Sequence, residues 1–126
     1  DKKQEAKSVG GEAEGMPLVI LIDGGSASAS EVVTGALRDY EAGTIIGTTS
    51  FGKGIVQQLI EFKDGNGGLK VTTSKYYTPN GENIHKIGIK PDIEVEIPKD
   101  ILEKEYDRST DPQFNKGLEV IKEKIK

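Results

Sequence analysis

Cysteine is absent from this 126-residue chain, histidine occurs once, and aromatic residues make up only 6%. Without cysteine there are no disulfides and no thiol nucleophile, although either redox compartment stays open. The single histidine, His85, has no cysteine or second histidine to share a metal with, and the carboxylates are scattered. No metal and no cofactor is therefore expected. No apolar run approaches the roughly 18 residues of a membrane-spanning helix, and no signal-peptide pattern opens the chain. Positive charge is in deficit: 17 Lys and Arg against 21 Asp and Glu leave a net charge of −4. That balance argues against nucleic acid or an anionic membrane as a partner. The hydrophobic fraction of 34%, with glycine added, approaches the globular range. The length suits one domain, and no internal repeat is visible.

Apolar residues are concentrated early. Pro17-Leu18-Val19-Ile20-Leu21-Ile22-Asp23 is a short, nearly continuous apolar run, the pattern of a strand buried on both faces. Gly24 and Gly25 break it. From Ala29 to about Glu41, Val32, Val33, Ala36, Leu37 and Tyr40 recur at helical spacing, with Gly43 as the stop. Thr44-Ile45-Ile46-Gly47 reads as the next strand. Strand, helix and strand make a βαβ unit with parallel strands and a right-handed crossover, in which ligands gather beyond the carboxyl ends of the strands. The loop Gly24-Gly25-Ser26-Ala27-Ser28-Ala29-Ser30-Glu31 lies there.

Spacing singles out one of its serines. Ser28 and Glu31 form an S-x-x-E capping box, with Ser28 at the N-cap and helix beginning at Ala29 or Ser30. Free backbone N–H groups and the positive end of the helix dipole converge there, so Gly25 and Ala29 are candidate backbone donors to an oxyanion. A serine that only caps its helix is the plainer use of the same residue. Just downstream, Phe51-Gly52-Lys53-Gly54 holds a lone lysine between glycines. A lysine acts as a general base only in its neutral form, which desolvation favours; Phe51 and Ile55 are the expected apolar wall. Ile55-Val56-Gln57-Gln58-Leu59-Ile60 reads as a strand, and alternation puts Lys53, Ile55 and Gln57 on one face. Gln57 is then placed to orient the amine, completing a nucleophile–base–orienter set of Ser28, Lys53 and Gln57.

Two other chemistries fit less well. Gly47 to Gly54 nearly matches a phosphate loop, but Gly54 stands where a magnesium-binding hydroxyl is needed, and a strand rather than a helix is expected from Ile55. A Ser–His–Asp hydrolase would need His85, expected to be a solvent-exposed loop residue, and G-x-S-x-G is absent.

The remainder is β-rich and then charged. Ile55–Phe62, a turn over Asp64-Gly65-Asn66-Gly67-Gly68, and Leu69–Thr78 read as a hairpin. Tyr76 and Tyr77 are expected to serve packing and hydrogen bonding. Pro79-Asn80-Gly81 is a turn, and Ile93 to Ile97 alternates as a half-exposed strand. Asp111 and Pro112 form an N-cap and first-turn proline. Phe114, Leu118, Ile121 and Ile125 then give one apolar stripe, expected to pack on the body. Residues 1–16 are polar and glycine-dotted and read as a linker or disordered segment; 17–98 form the core; 99–126 are a charged connector and terminal helix.

The runs PLVILIDGGSASASEVVTGALRDY, TIIGTTSFGKGIVQQ, LKVTTSKYYTPNGENI and GIKPDIEV, in that order, resemble the peptidase core of the carboxyl-terminal processing peptidases, also called tail-specific proteases. The resemblance implies an α/β fold of the crotonase and caseinolytic kind and serine endopeptidases with a lysine base. It places the nucleophile at Ser28, the base at Lys53 and the supporting glutamine at Gln57. It also implies protein or peptide substrates with accessible C-termini and a bacterial cell-envelope or extracytoplasmic setting. The family's PDZ domain and the first half of its peptidase fold, including a glycine-containing oxyanion segment, have no counterpart here. The expectation is thus the C-terminal portion of a peptidase domain, inactive alone, with a purely supporting, non-catalytic module as the alternative.

Overall fold

The structure, a computed structural model, describes residues 5–7, 9–103 and 105–126. β1 (Val19–Ile22), α1 (Ala29–Asp39) and β2 (Thr44–Gly47) form the expected strand–helix–strand unit. β1 and β2 pair in parallel from Val19 opposite Thr44 to Ile22 opposite Gly47. β3 (Ile55–Glu61) and β4 (Gly68–Lys75) make an antiparallel hairpin that is a separate two-stranded sheet. β5 (Ile93–Glu94) adds to β2 in parallel, giving the order β1-β2-β5. A short α2 (Lys99–Leu102) and the longer α3 (Pro112–Lys124) follow.

Between residues 5 and 16 the described chain holds turns closed by Glu14 N–H to Gly11 and Met16 N–H to Ala13 but no helix or strand. Part of the expected linker, residues 1–4 and Ser8, lies outside the described residues, as does Lys104 of the expected connector.

Ile22, Ile45, Ile84 and Ile89 form the centre of the core, with Ile20 and Tyr76 packed against it. Each fully buried isoleucine contributes about 1.5–3 kcal/mol. Such a core is small for the chain. The accessible surface is 9675 Å², whereas a folded monomer of 13.6 kDa exposes about 6,600 Å².

The excess surface shows at three places. β1, expected to be buried on both faces, is an edge strand that buries Ile22 in the core but leaves Leu21, on the face turned to Gly117, 39% exposed. The apolar stripe of α1 faces outward: Val32 is 51%, Val33 58% and Tyr40 74% exposed, and the buried face is Glu31, Thr34 and Gly35. α3 does pack on β1 and β2, but through Gln113, Gly117 and Val120, leaving Leu118 and Ile125 exposed. Periodicity finds a helix; the neighbours available decide which face is covered.

Local signals hold where the partners are local. Asp111 Oδ1 accepts from Gln113 N–H at 2.8 Å and Phe114 N–H at 3.0 Å, capping α3 ahead of Pro112. Gly47, at φ 132°, ends β2, and a Cβ there would sit 1.8 Å from the Ile22 carbonyl oxygen. Gly47→Ala is therefore expected to destabilise the chain by about 3 kcal/mol or more, because backbone rather than a side-chain tip must move. Urea-unfolding midpoints check this, and a shift below about 1 kcal/mol would mean β1 yields without cost.

Candidate active site

The loops leaving the carboxyl ends of β1 and β2 meet. In the first, Asp23 Oδ1 accepts from Gly25 N–H at 2.9 Å, Ser26 N–H at 3.0 Å and the Ser26 hydroxyl at 3.1 Å, folding the chain into a tight turn. The Gly25 N–H is thereby committed to Asp23. Ala29 is exposed, and its N–H, at the first helical position, has no acceptor inside the helix.

Ser28 lies between this turn and α1 with φ 58° and ψ −114°. A non-glycine residue at positive φ costs on the order of 1–3 kcal/mol and persists only where its surroundings enforce it. Here the enforcing group is Glu31. Its Oε2 accepts from the Ser28 N–H at 2.9 Å, one half of the expected capping box. In the other half the Ser28 hydroxyl lies toward the Glu31 N–H without forming a full side-chain cap bond.

The same carboxylate reaches the second loop. Glu31 Oε2 also accepts from the Lys53 N–H at 2.8 Å, while Oε1 accepts from the Gly52 N–H and the Ser50 hydroxyl, each at 2.6 Å. One oxygen thus holds the backbone nitrogens of Ser28 and Lys53, which sets those two nitrogens within two hydrogen-bond lengths of each other. Glu31 is 1% exposed. Burial alone would raise its pKa, but the bonds from Ser50, Lys53, Gly52 and Ser28 outweigh that, and the net direction is down.

Two further links join the loops. Phe51 N–H donates to the Ser26 carbonyl at 2.9 Å. The Tyr76 hydroxyl lies against the Lys53 carbonyl and 3.4 Å from that of Ser28. Gly52, at φ 86°, lets the second loop pass close beneath Ile87 and Gly88, where a Cβ would meet backbone. The Ser50 hydroxyl accepts from Ile89 N–H at 2.7 Å and so fastens this loop to the core.

The remaining site residues are placed as follows. Lys53 is half-buried and has no ion-pair partner among the described residues. Phe51, expected to help bury it, is itself 64% exposed. Gln57 follows the alternation expected of it, with Ile55 and Gln57 on the more covered side of β3. Its Nε2 donates to the Thr72 hydroxyl at 3.2 Å, where β4 carries a bulge opposite Val56 and Gln57. His85 is half-buried rather than exposed: it packs against Gly54, and its Nδ1 is buried without a hydrogen-bond partner among the described residues. Gly47 to Gly54 runs into a strand at Ile55, so no helix N-terminus is available to a phosphate.

Sequence reasoning missed Ser50 and Tyr76 as holders of the site and saw only half of what Glu31 does. An acid three residues after a serine signals a cap; nothing local signals that its other lone pairs face a loop some twenty residues away.

A serine at a strained helix entrance is thus tied through one buried carboxylate to a lysine loop, on a parallel strand–helix–strand unit. The sequence model of Peptidase family S41 matches residues 1–95, and the chain belongs to that family. It is 57% identical over 91 residues to a carboxy-terminal-processing protease of Bartonella bacilliformis, covering 72% of this chain and 21% of that protein. Against a carboxyl-terminal-processing protease of Synechocystis it is 44% identical over 119 residues, covering 94% of the chain and 27% of the relative. Among solved structures, a photosystem II D1 C-terminal processing protease superposes with a TM-score of 0.60 at 46% identity, over 65% of this chain and 21% of that one. The chain thus spans about a quarter or less of the length of these relatives.

Proposed function

We propose that this chain is the nucleophile-and-base portion of a serine endopeptidase of the carboxyl-terminal processing type. The observation that carries the reading is the Glu31 carboxylate oxygen shared by the Ser28 and Lys53 backbones. Ser28 Oγ attacks the scissile carbonyl carbon as its proton passes to neutral Lys53, and the tetrahedral oxyanion forms beside the Ala29 N–H. Collapse expels the amine, which takes the proton from Lys53 and leaves an ester on Ser28. Lys53 then deprotonates the water that hydrolyses it. Gln57, whose amide N–H is given to Thr72, keeps its carbonyl oxygen for the lysine amine.

In this reading the substrates are proteins with accessible C-termini. The parent enzyme adds a PDZ domain and the first half of the peptidase fold, which is of the crotonase and caseinolytic kind, and works in the bacterial cell envelope. The outward apolar stripe of α1 and the surplus surface fit a body completed by further chain. The 126 residues alone are accordingly expected to cleave an unfolded protein substrate at no measurable rate, while a chain of the relatives' full length carrying this segment cleaves it. Parallel assays with a fluorescent unfolded substrate test this. Equal activity of the short chain would show that the site needs nothing more, and an inactive full-length enzyme would remove the peptidase reading itself.

A further inference from the structure

Tyr76 stands outside the nucleophile, base and orienter of the proposed reaction, yet its side chain contacts the backbones of two of them. It lies one residue past the end of β4, and its ring is packed against the Ile22, Ile45, Ile84 and Ile89 core. Its own backbone is fixed at both ends: Tyr76 N–H donates to the Gly54 carbonyl at 3.2 Å, and the Asn83 amide donates to the Tyr76 carbonyl at 3.0 Å. A rigid ring rooted in this way carries its hydroxyl to a fixed point. At that point stand the carbonyl oxygens of Ser28 and Lys53.

We infer that Tyr76 is a positioning residue for the proposed peptidase reaction, its hydroxyl setting the separation of the Ser28 and Lys53 loops from the carbonyl side as Glu31 does from the N–H side. The inference rests on the Ser28–Lys53 reading above. A phenol has one proton and two carbonyls before it, so it donates to Lys53, while the Ser28 carbonyl at 3.4 Å lies beyond a good O–H···O bond. The hydroxyl acts as a spacer on the Ser28 side and a tether on the Lys53 side. Burial, and then the Glu31 charge, push the phenol pKa upward, so the donor proton is retained through neutral and mildly alkaline pH. Tyr77 next to it is 58% exposed and supplies the matched control.

The test uses a peptidase of the relatives' full length carrying this segment, with Tyr76→Phe, Tyr77→Phe and 4-aminophenylalanine at position 76. Phenylalanine keeps the ring in the core and removes only the donor. A displacement of about 1 Å between reacting groups costs about a hundredfold in rate. Tyr76→Phe is therefore expected to lower kcat by about 10- to 100-fold, with KM within about twofold and Tm within about 5 °C of the parent. 4-Aminophenylalanine offers two N–H donors to the same two carbonyls and is expected to restore kcat to within about threefold of the parent. Tyr77→Phe is expected to match the parent.

Parental kcat in Tyr76→Phe overturns the inference. So does an amino variant as slow as the phenylalanine one, since the ring alone would then be responsible. If Tyr76→Phe does not fold, the amino variant decides: a kcat within about threefold of the parent supports the role and a deeper loss removes it. Ser28→Ala in the same series separates the two failures. An active Ser28→Ala enzyme defeats the peptidase reading, whereas an inactive one beside a fully active Tyr76→Phe defeats only the role of Tyr76.

Discussion

Ser28→Ala and Lys53→Ala in the full-length peptidase are each expected to lower kcat by about 10⁴-fold or more, the scale seen when one member of a nucleophile–base unit is removed. Either loss is expected to be as damaging as both together, because a nucleophile without its base and a base without its nucleophile perform the same missing step. The φ of 58° at Ser28 is a strained conformation that alanine retains and glycine relieves. Ser28→Gly in particular is expected to raise the unfolding midpoint while abolishing cleavage. His85→Ala supplies the counter-test. It removes a ring whose Nδ1 is buried and unpartnered beside Gly54, and kcat is expected to stay within about threefold of the parent. An enzyme that survives Lys53→Ala and is silenced by His85→Ala would move the base from one residue to the other.

Glu31→Ala is expected to cost about 4 kcal/mol or more of stability in addition to most of the activity. Four donors, the Ser28, Gly52 and Lys53 N–H groups and the Ser50 hydroxyl, lose a charged acceptor, and hydrogen bonds to a charged group contribute about 1.5–3 kcal/mol each. The sum is not recovered in full because the loops relax toward water. Glu31→Gln is expected to be little better, since an amide has one acceptor oxygen where four donors converge. The pH dependence carries a definite sign. The folded pKa of Glu31 lies below its unfolded value of about 4.3. Its contribution is therefore complete above that value and is lost as pH falls through the lowered folded one. Urea titrations between pH 3 and 7 should show a parent whose stability falls with acid and a Glu31→Ala chain with a flatter profile. Equal slopes in the two would mean that the carboxylate is not the linked group.

What could be read from the residues divides along the range of the interaction concerned. The β1-α1-β2 unit, the helix start at Ala29, the β3–β4 hairpin and the Asp111 cap of α3 were legible because each is decided within a few neighbours. The face that α1 buries was not. Val32, Val33 and Tyr40 carry the helical period, but Glu31, Thr34 and Gly35 are what the second loop and the core pack against. Ser28 and Lys53 are singled out by local chemistry alone: a serine with an acid three residues on, and a lysine between glycines. Glu31 looked like a helix-capping acid because the sequence around it contains only that use. Its bonds to Ser50, Gly52 and Lys53 exist only after the chain has closed on itself. The same holds for Tyr76, whose aromatic neighbour Tyr77 has a like setting in sequence and an exposed one in space.

The β3–β4 hairpin has a consequence for how load reaches the Ser28 and Lys53 loops. Val56, Leu59 and Ile60 on one strand and Leu69 and Val71 on the other are all more than a third exposed, and among the described residues the hairpin is bonded to no other strand. One of its legs begins two residues after Lys53 and the other ends one residue before Tyr76. The Ser28 loop is rooted instead in the three-stranded sheet. A pull on the hairpin therefore arrives first at Lys53 and Tyr76, where the Glu31 and Ser50 bonds and the seat of the tyrosine ring in the core anchor it to the frame that carries Ser28.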